Sequence, residues 1–267
     1  MKLTMLGTGV AQVTECYNTC FLFDENGKLL LVDGGGGVML LRQFKKAGIN
    51  WKDVKSIFVT HKHTDHLLGV VWMIRLIVNY MDMNKYEGEA TIYSHREVID
   101  ILVSLSHMLF PKKQTRFIGQ RLHFISVEDG QECEIINHGI AFFDIHSTKA
   151  TQFGFSMNLA GGRKLTCCGD EPFCEKNKEY VSGSAWLMHE AFCLHSQADI
   201  FDPYSMHHST VKNACQLAEQ YAVENLILYH TEDKGLADRK RLYTREGAEY
   251  FSGNLYVPDD LDSITIL

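Results

Sequence analysis

The sixteen residues SIFVTHKHTDHLLGVV, Ser56 to Val71, pack three histidines and an aspartate into six positions. The apolar, β-branched run IFVT before them reads as a buried strand, and the apolar residues after them open a long core helix ending near Met81. A loop leaving a strand lets His61 and His63 converge, with Asp65 and His66 following on the next turn. Imidazole and carboxylate together suit zinc, manganese or iron and need no cysteine. Four such groups at one strand exit point to a metal centre.

The same positional theme recurs along the chain. His146 ends FFDIH, Asp170 ends KLTCCGD and His230 ends NLILYH, so each terminates an apolar strand. Strand ends on one edge of a sheet structure gather ligands from distant positions. Seven groups exceed what one tetrahedral zinc needs, which points to two metals with one bridging carboxylate. Two adjacent divalent ions can generate a hydroxide near neutral pH and stabilise the oxygens of an in-line displacement.

A chain of 267 residues is long enough for one large α/β domain over 1–267. Its formal net charge of -7 argues against broad, sequence-independent nucleic-acid binding, which draws on basic side chains. The N-terminus MKLTMLGTGV enters an alternating strand and a glycine turn without the pattern of a signal peptide, so the expected location is cytoplasmic. No apolar run reaches the roughly 20 residues of a bilayer-spanning helix, and no membrane association is expected. Eight cysteines without a C-x-x-C pair indicate neither a zinc ribbon nor a disulfide scaffold, and Cys167 and Cys168 read as packing residues.

TCFLFDENGKLLLVD is two apolar runs around Asn26-Gly27, a tight-hairpin signal. CEIINHGIAFFDIH and GFSMNLAGGRKLTCCG suggest further hairpins turning at glycine. VKSIFVT, ATIYS, RLHFISV, SAWLMHE, NLILY and SITIL read as single strands. MLLRQFKKAG, EVIDILVSLSHMLF and VKNACQLAEQYAV read as helices, bounded by Gly48, Pro111 and the Ser209-Thr210 hydroxyls. The expectation is two antiparallel or mixed sheets packed together with helices outside. FPKKQTRFIGQR and DRKR at Asp238 to Arg241 read as solvated charge.

With these motifs in hand, the sequence resembles the metallo-β-lactamase superfamily of metal-dependent hydrolases, and within it the ribonuclease Z and phosphodiesterase branch. The segments that carry the resemblance are LGTG at Leu6, LLLVDGGGG at Leu29, H-x-H-x-D-H at His61 to His66, IHS at His146, GD at Asp170, HEA at His189, HST at His208 and LILYH ending at His230. The resemblance implies an αββα sandwich with two divalent ions, zinc foremost, at one edge. It implies His61, His63 and His146 on one ion, Asp65, His66 and His230 on the other, and Asp170 between them. Asp65 would also orient a bridging hydroxide, His208 would protonate the leaving oxygen, and Glu190 would support His208. Asp33 would accept from the far nitrogen of a ligating histidine.

The chain departs from the bacterial ribonuclease Z pattern. Only 24 positions separate His146 from Asp170, which leaves no room for the arm that grips transfer RNA. The expected substrate is therefore a small or nucleotide-like phosphodiester. The alternatives are a lactone, thioester or β-lactam hydrolase on the same fold and a transfer-RNA 3′ endonuclease, with a homodimer as one oligomeric option.

Overall fold

The computed structural model describes residues 1–266. Strands β1 (Lys2–Gly7), β2 (Cys20–Glu25), β3 (Lys28–Val32), β4 (Val54–Phe58), β5 (Ala90–Ser94) and β6 (Leu122–Ser126) belong to a first sheet. β7 (Glu132–Ile135), β8 (His138–Asp144), β9 (Phe153–Asn158), β10 (Lys164–Cys167), β11 (Trp186–Glu190), β12 (Asn225–Tyr229) and β13 (Asn254–Tyr256) form a second. β14 (Ser263–Thr265) returns to the first sheet and pairs with β1. The orders are β14-β1-β2-β3-β4-β5-β6 and β13-β12-β11-β10-β9-β8-β7. Each sheet is mixed, antiparallel through its hairpins and parallel from β3 to β6 and from β10 to β13.

Helices α1 (Met39–Lys46), α2 (Thr64–Asp82), α3 (Arg96–Leu109) and the one-turn α4 (Lys112–Thr115) lie with the first sheet. The one-turn α5 (Lys178–Val181) and α6 (Ala198–Phe201) precede α7 (Val211–Gln220) and α8 (Leu236–Gly247), which cover the second. Strand parity shows why the central runs are continuously apolar. Phe21, Phe23, Phe58, Phe142 and Phe155 point into the space between the sheets, while Leu22, Leu31 and Ile57 point under the helices. Both faces are buried, so alternation disappears. The arrangement is the expected αββα sandwich.

Asn26 and Gly27 both have positive φ, at 54° and 85°, as the tight hairpin requires. Three expectations change. The β7–β8 hairpin turns at Ile136 and Asn137, with φ of 47° and 66°, and Gly139 lies inside β8 rather than at the turn. α8 and β13 were not anticipated, and one residue of DRKR departs from the solvated reading: Asp238, Lys240 and Arg241 are exposed, but Arg239 is 1% exposed. Its guanidinium donates to Thr8 Oγ1, Thr231 Oγ1, the Pro258 carbonyl and Asp259 Oδ1, tying α8 to β1 and to the segment before β14. The expected strand SITIL extends to Leu267, which lies outside the described residues.

Candidate metal centre

The H-x-H-x-D-H segment leaves β4 and enters α2. His63 is the N-cap of that helix, and Asp65 and His66 occupy its first turn. Asp170 follows β10 and His230 follows β12, so the second sheet brings its ligands to the edge where α2 begins. Two groups of metal-competent atoms result, each within 4.8 Å: His61, His63 and Asp170, and Asp65, His66 and His230.

Asp170 Oδ2 is the point of convergence. It lies 3.5 Å from His61 Nε2, 3.3 Å from His66 Nε2 and 3.5 Å from His230 Nε2. The opposite ring nitrogens are all tied back. Thr60 Oγ1 donates to Asp33 Oδ2 at 2.8 Å, so it accepts from His61 Nδ1 at 2.9 Å. His66 Nδ1 donates to Asp33 Oδ2 at 2.7 Å. Thr19 Oγ1 donates to the Gly9 carbonyl and accepts from His230 Nδ1 at 2.9 Å. Each imidazole is thereby set with Nδ1 protonated and Nε2 facing the cluster, as metal-ligating histidines are in general.

Electrostatics agree with that donor set. Burial pushes His61 well below the ordinary imidazole range and His230 down to about 3, keeping both rings neutral, and His61 Nε2 accepts from His63 Nδ1 at 2.8 Å. Burial also opposes charge on His66, but the Asp65 and Asp33 carboxylates raise it well above its ordinary value. Its Nε2 is buried, 3.3 Å from both Asp65 and Asp170 and aligned with neither for a hydrogen bond. Buried carboxylates around an unpaired imidazole nitrogen are what a divalent cation would satisfy, so the residues present fit a metal.

His146 is the ligand candidate that stands apart. Its side chain is 31% exposed, its Nδ1 is 3.9 Å from Asp144 Oδ2, and it belongs to neither group of convergent atoms. Its backbone nevertheless has φ of 61°, close to the 57° of Asp33 and the 56° of His230 at the matching strand exits. Such left-handed non-glycine residues cluster at functional sites.

His208 faces the cluster from the segment before α7. Its ring centroid is 5.5 Å from that of His230, and Phe192 stacks on it at 5.2 Å and 12°. Glu190, fully buried at the end of β11, places Oε2 3.5 Å from His208 Nδ1, and its Oε1 accepts from the Ser209 amide. Burial would depress the His208 pKa, yet the Glu190 carboxylate outweighs it and leaves the pKa raised. The capping role assigned to the Ser209-Thr210 pair belongs to Thr210, whose amide and hydroxyl both donate to Asn213 Oδ1. Sequence reasoning missed Thr19 and Thr60. Thr60 had one available signal, its place beside His61; Thr19 had none.

Residues 1–249 match the family described as anti-Pycsar protein Apyc1. Ribonuclease Z of Bacillus mycoides (strain KBAB4) is 24% identical, with 100% of this chain and 99% of the relative covered, and ribonuclease Z of Bacillus cereus (strain AH187) gives the same figures. The alignment runs over 318 positions, so those relatives carry segments with no counterpart here. Among solved structures, the metallo-β-lactamase fold protein YhfI from Bacillus subtilis superposes with a TM-score of 0.78 at 18% identity, covering 98% of each chain. Human tRNase Z, short form, gives 0.73 at 19% over 100% of both chains. A diphosphatase from the PhnP family gives 0.72 at 16%, covering 100% of this chain and 98% of that one. The chain thus belongs to the anti-Pycsar protein Apyc1 family, on the ribonuclease Z side of the metallo-β-lactamase superfamily.

Proposed function

We propose that the protein is a dinuclear metal-dependent phosphodiesterase acting on a small cyclic or nucleotide-like substrate. The observation that carries this reading is His208, braced by buried Glu190 and turned toward the ligand cluster. Attack on a carbonyl has less use for a second imidazole held protonated across from the ligands. A phosphodiester needs its leaving oxygen protonated as the P–O bond breaks, and a positioned imidazole supplies about 10²- to 10⁴-fold by that transfer.

His61 and His63 would hold one ion, Asp65, His66 and His230 the other, and Asp170 both. His146 would complete the first set by turning its ring inward. Two divalent ions so held, zinc foremost with manganese or iron as alternatives, supply an activated water and neutralise phosphoryl charge. Asp65 accepts a hydrogen bond from the attacking water and orients it. The His208 proton passes to the leaving oxygen, and Glu190 holds the ring in place and favours its protonated form. Asp33, Thr60 and Thr19 hold ring orientation.

Transfer-RNA 3′ cleavage is the second reading, favoured by the ribonuclease Z relatives. Against it, the chain between His146 and Asp170 holds only a short loop and the β9–β10 hairpin, with no protruding arm. The test is turnover of bis(p-nitrophenyl) phosphate, cyclic nucleotides and a precursor transfer RNA by protein reconstituted with zinc or manganese. His208→Ala is expected to lower phosphodiester turnover by about 10²- to 10⁴-fold with metal content unchanged. Unchanged turnover removes His208 from the mechanism, and cleavage of precursor transfer RNA alone replaces this reading with the second.

A further inference from the structure

Beside His208, on the helical side of the second sheet, a cavity of about 410 Å³ takes no part in the chemistry above. Leu187 packs under α7 and Met188 between the sheets, so strand alternation turns His189 toward α7, where it borders this cavity. His189 is 1% exposed, and its Nδ1 lies 2.7 Å from the Glu190 carbonyl. A carbonyl only accepts, so Nδ1 carries the proton. Burial keeps the ring neutral. Nε2 is left as a bare acceptor with no partner among the described residues.

Apart from Glu175 and His208, the rest of the lining is uncharged, and much of it is amide or aromatic. Asn213, Gln216 and Gln220 stand at i, i+3 and i+7 on α7, one face of that helix. Phe173, edge-on to Tyr221, borders the cavity from the loop after Asp170. Tyr204, 51% exposed, borders it from the segment before His208, its hydroxyl donating to Asn213 Oδ1. Aromatic faces, a row of amides able both to donate and to accept, and one buried acceptor match a heteroaromatic ring with a mixed hydrogen-bonding edge. They do not match a phosphate, which Glu175 would repel and which could meet a cation at His208, on the side shared with the ligand cluster. His208 borders both this cavity and the metal-ligand cluster, so one molecule can reach both with its phosphate and its base.

We propose that the cavity binds the base of a nucleotide substrate and that His189 Nε2 selects bases presenting an N–H donor, such as the exocyclic amines of adenine and cytosine. This rests on the phosphodiesterase reading for the substrate's other half. Free nucleosides carry no phosphodiester, so their binding reports on the cavity alone. Calorimetry on the metal-loaded full chain compares adenosine with N6,N6-dimethyladenosine and cytidine with N4,N4-dimethylcytidine. Each parent nucleoside is expected to bind about ten-fold more tightly than its dimethyl form, since methylation removes the donor. Phe173→Ala and Gln216→Ala, two variants outside the catalytic set, are each expected to weaken nucleoside binding and raise KM for the cyclic nucleotide at least five-fold. Turnover of the base-free bis(p-nitrophenyl) phosphate should stay unchanged in both. No nucleoside binding, equal binding of parent and dimethyl forms, or a cyclic-nucleotide KM unmoved by both variants overturns the proposal. Nucleoside binding lost in the variants, with no phosphodiester hydrolysed by the wild type, would instead overturn the catalytic reading and leave the base site standing.

Discussion

His208 sits between opposing influences: burial disfavours its charged form, while Glu190 and Asp170 favour it and Lys149 opposes. The balance lies above the ordinary imidazole value, and a general acid must start protonated. Turnover is therefore expected to hold through neutral pH and to fall as pH rises through the elevated pKa, a limb visible in a kcat profile against pH. Glu190→Gln removes the countercharge and leaves burial dominant, so that limb should move to lower pH; a limb that stays in place would assign the titration to another group. The division between what a reader of sequence can and cannot see is also plainest at single residues. His61, His63, Asp65 and His66 are legible because they are adjacent and follow an apolar strand, and Asp170 and His230 because they end such strands. Thr19 is illegible because its hydroxyl meets His230 Nδ1 only through the tertiary fold, from 211 positions away. His146 matches by motif, yet it joins neither group of convergent atoms and its Nδ1 lies 3.9 Å from Asp144, a placement that no spacing encodes.

At the level of elements, the glycine run after β3 finds its explanation in α2. Gly34 donates to the His66 carbonyl at 2.8 Å and Gly69 donates to the Gly35 carbonyl at 2.9 Å, so loop and helix meet backbone to backbone. A Cβ on Gly69 would overlap the Gly34 carbonyl, and a Cβ on Gly34 would overlap the Val70 amide. That contact places the first turn of α2, and with it Asp65 and His66, against Asp33. Gly69→Ala is expected to cost at least about 1–3 kcal/mol in denaturant unfolding, because a well-packed contact has no room for the methyl group. It should also weaken metal retention, and a variant with wild-type stability and metal content would show that α2 slides without consequence. The run LLLVDGGGG hinted at a turn, but its partner glycine in the middle of an apolar helix gave no sign of its purpose. α8 shows the opposite failure: LADRKRLYTREG looks solvated, while Arg239 and Tyr243 carry it into the interior.

Across the whole molecule, the candidate ligands come from both sheets, with His61, His63, Asp65 and His66 beside the first and Asp170 and His230 from the second. An ion held there would tie the two layers together and favour the native state. At a thousand-fold excess over its dissociation constant such a ligand adds about 4 kcal/mol, which for a domain of this size corresponds to roughly 10 °C in Tm. Removing metal with a chelator should lower the thermal midpoint by about that amount, and readdition of zinc or manganese should restore it. An unchanged midpoint would mean that the layers need no such link. No helix among the described residues is long and apolar enough to cross a membrane.

The distance along the chain between the first and last ligands has a consequence for biosynthesis. His61 leaves the ribosome well before His230, and Arg239, which ties Thr231 to Thr8, follows later still. A nascent chain can assemble the first sheet's helical layer, but it cannot close either metal-ligand group without residues from the second sheet. Hydrolytic capacity would thus arrive as a late, abrupt event in synthesis, and prematurely terminated chains would be released inert.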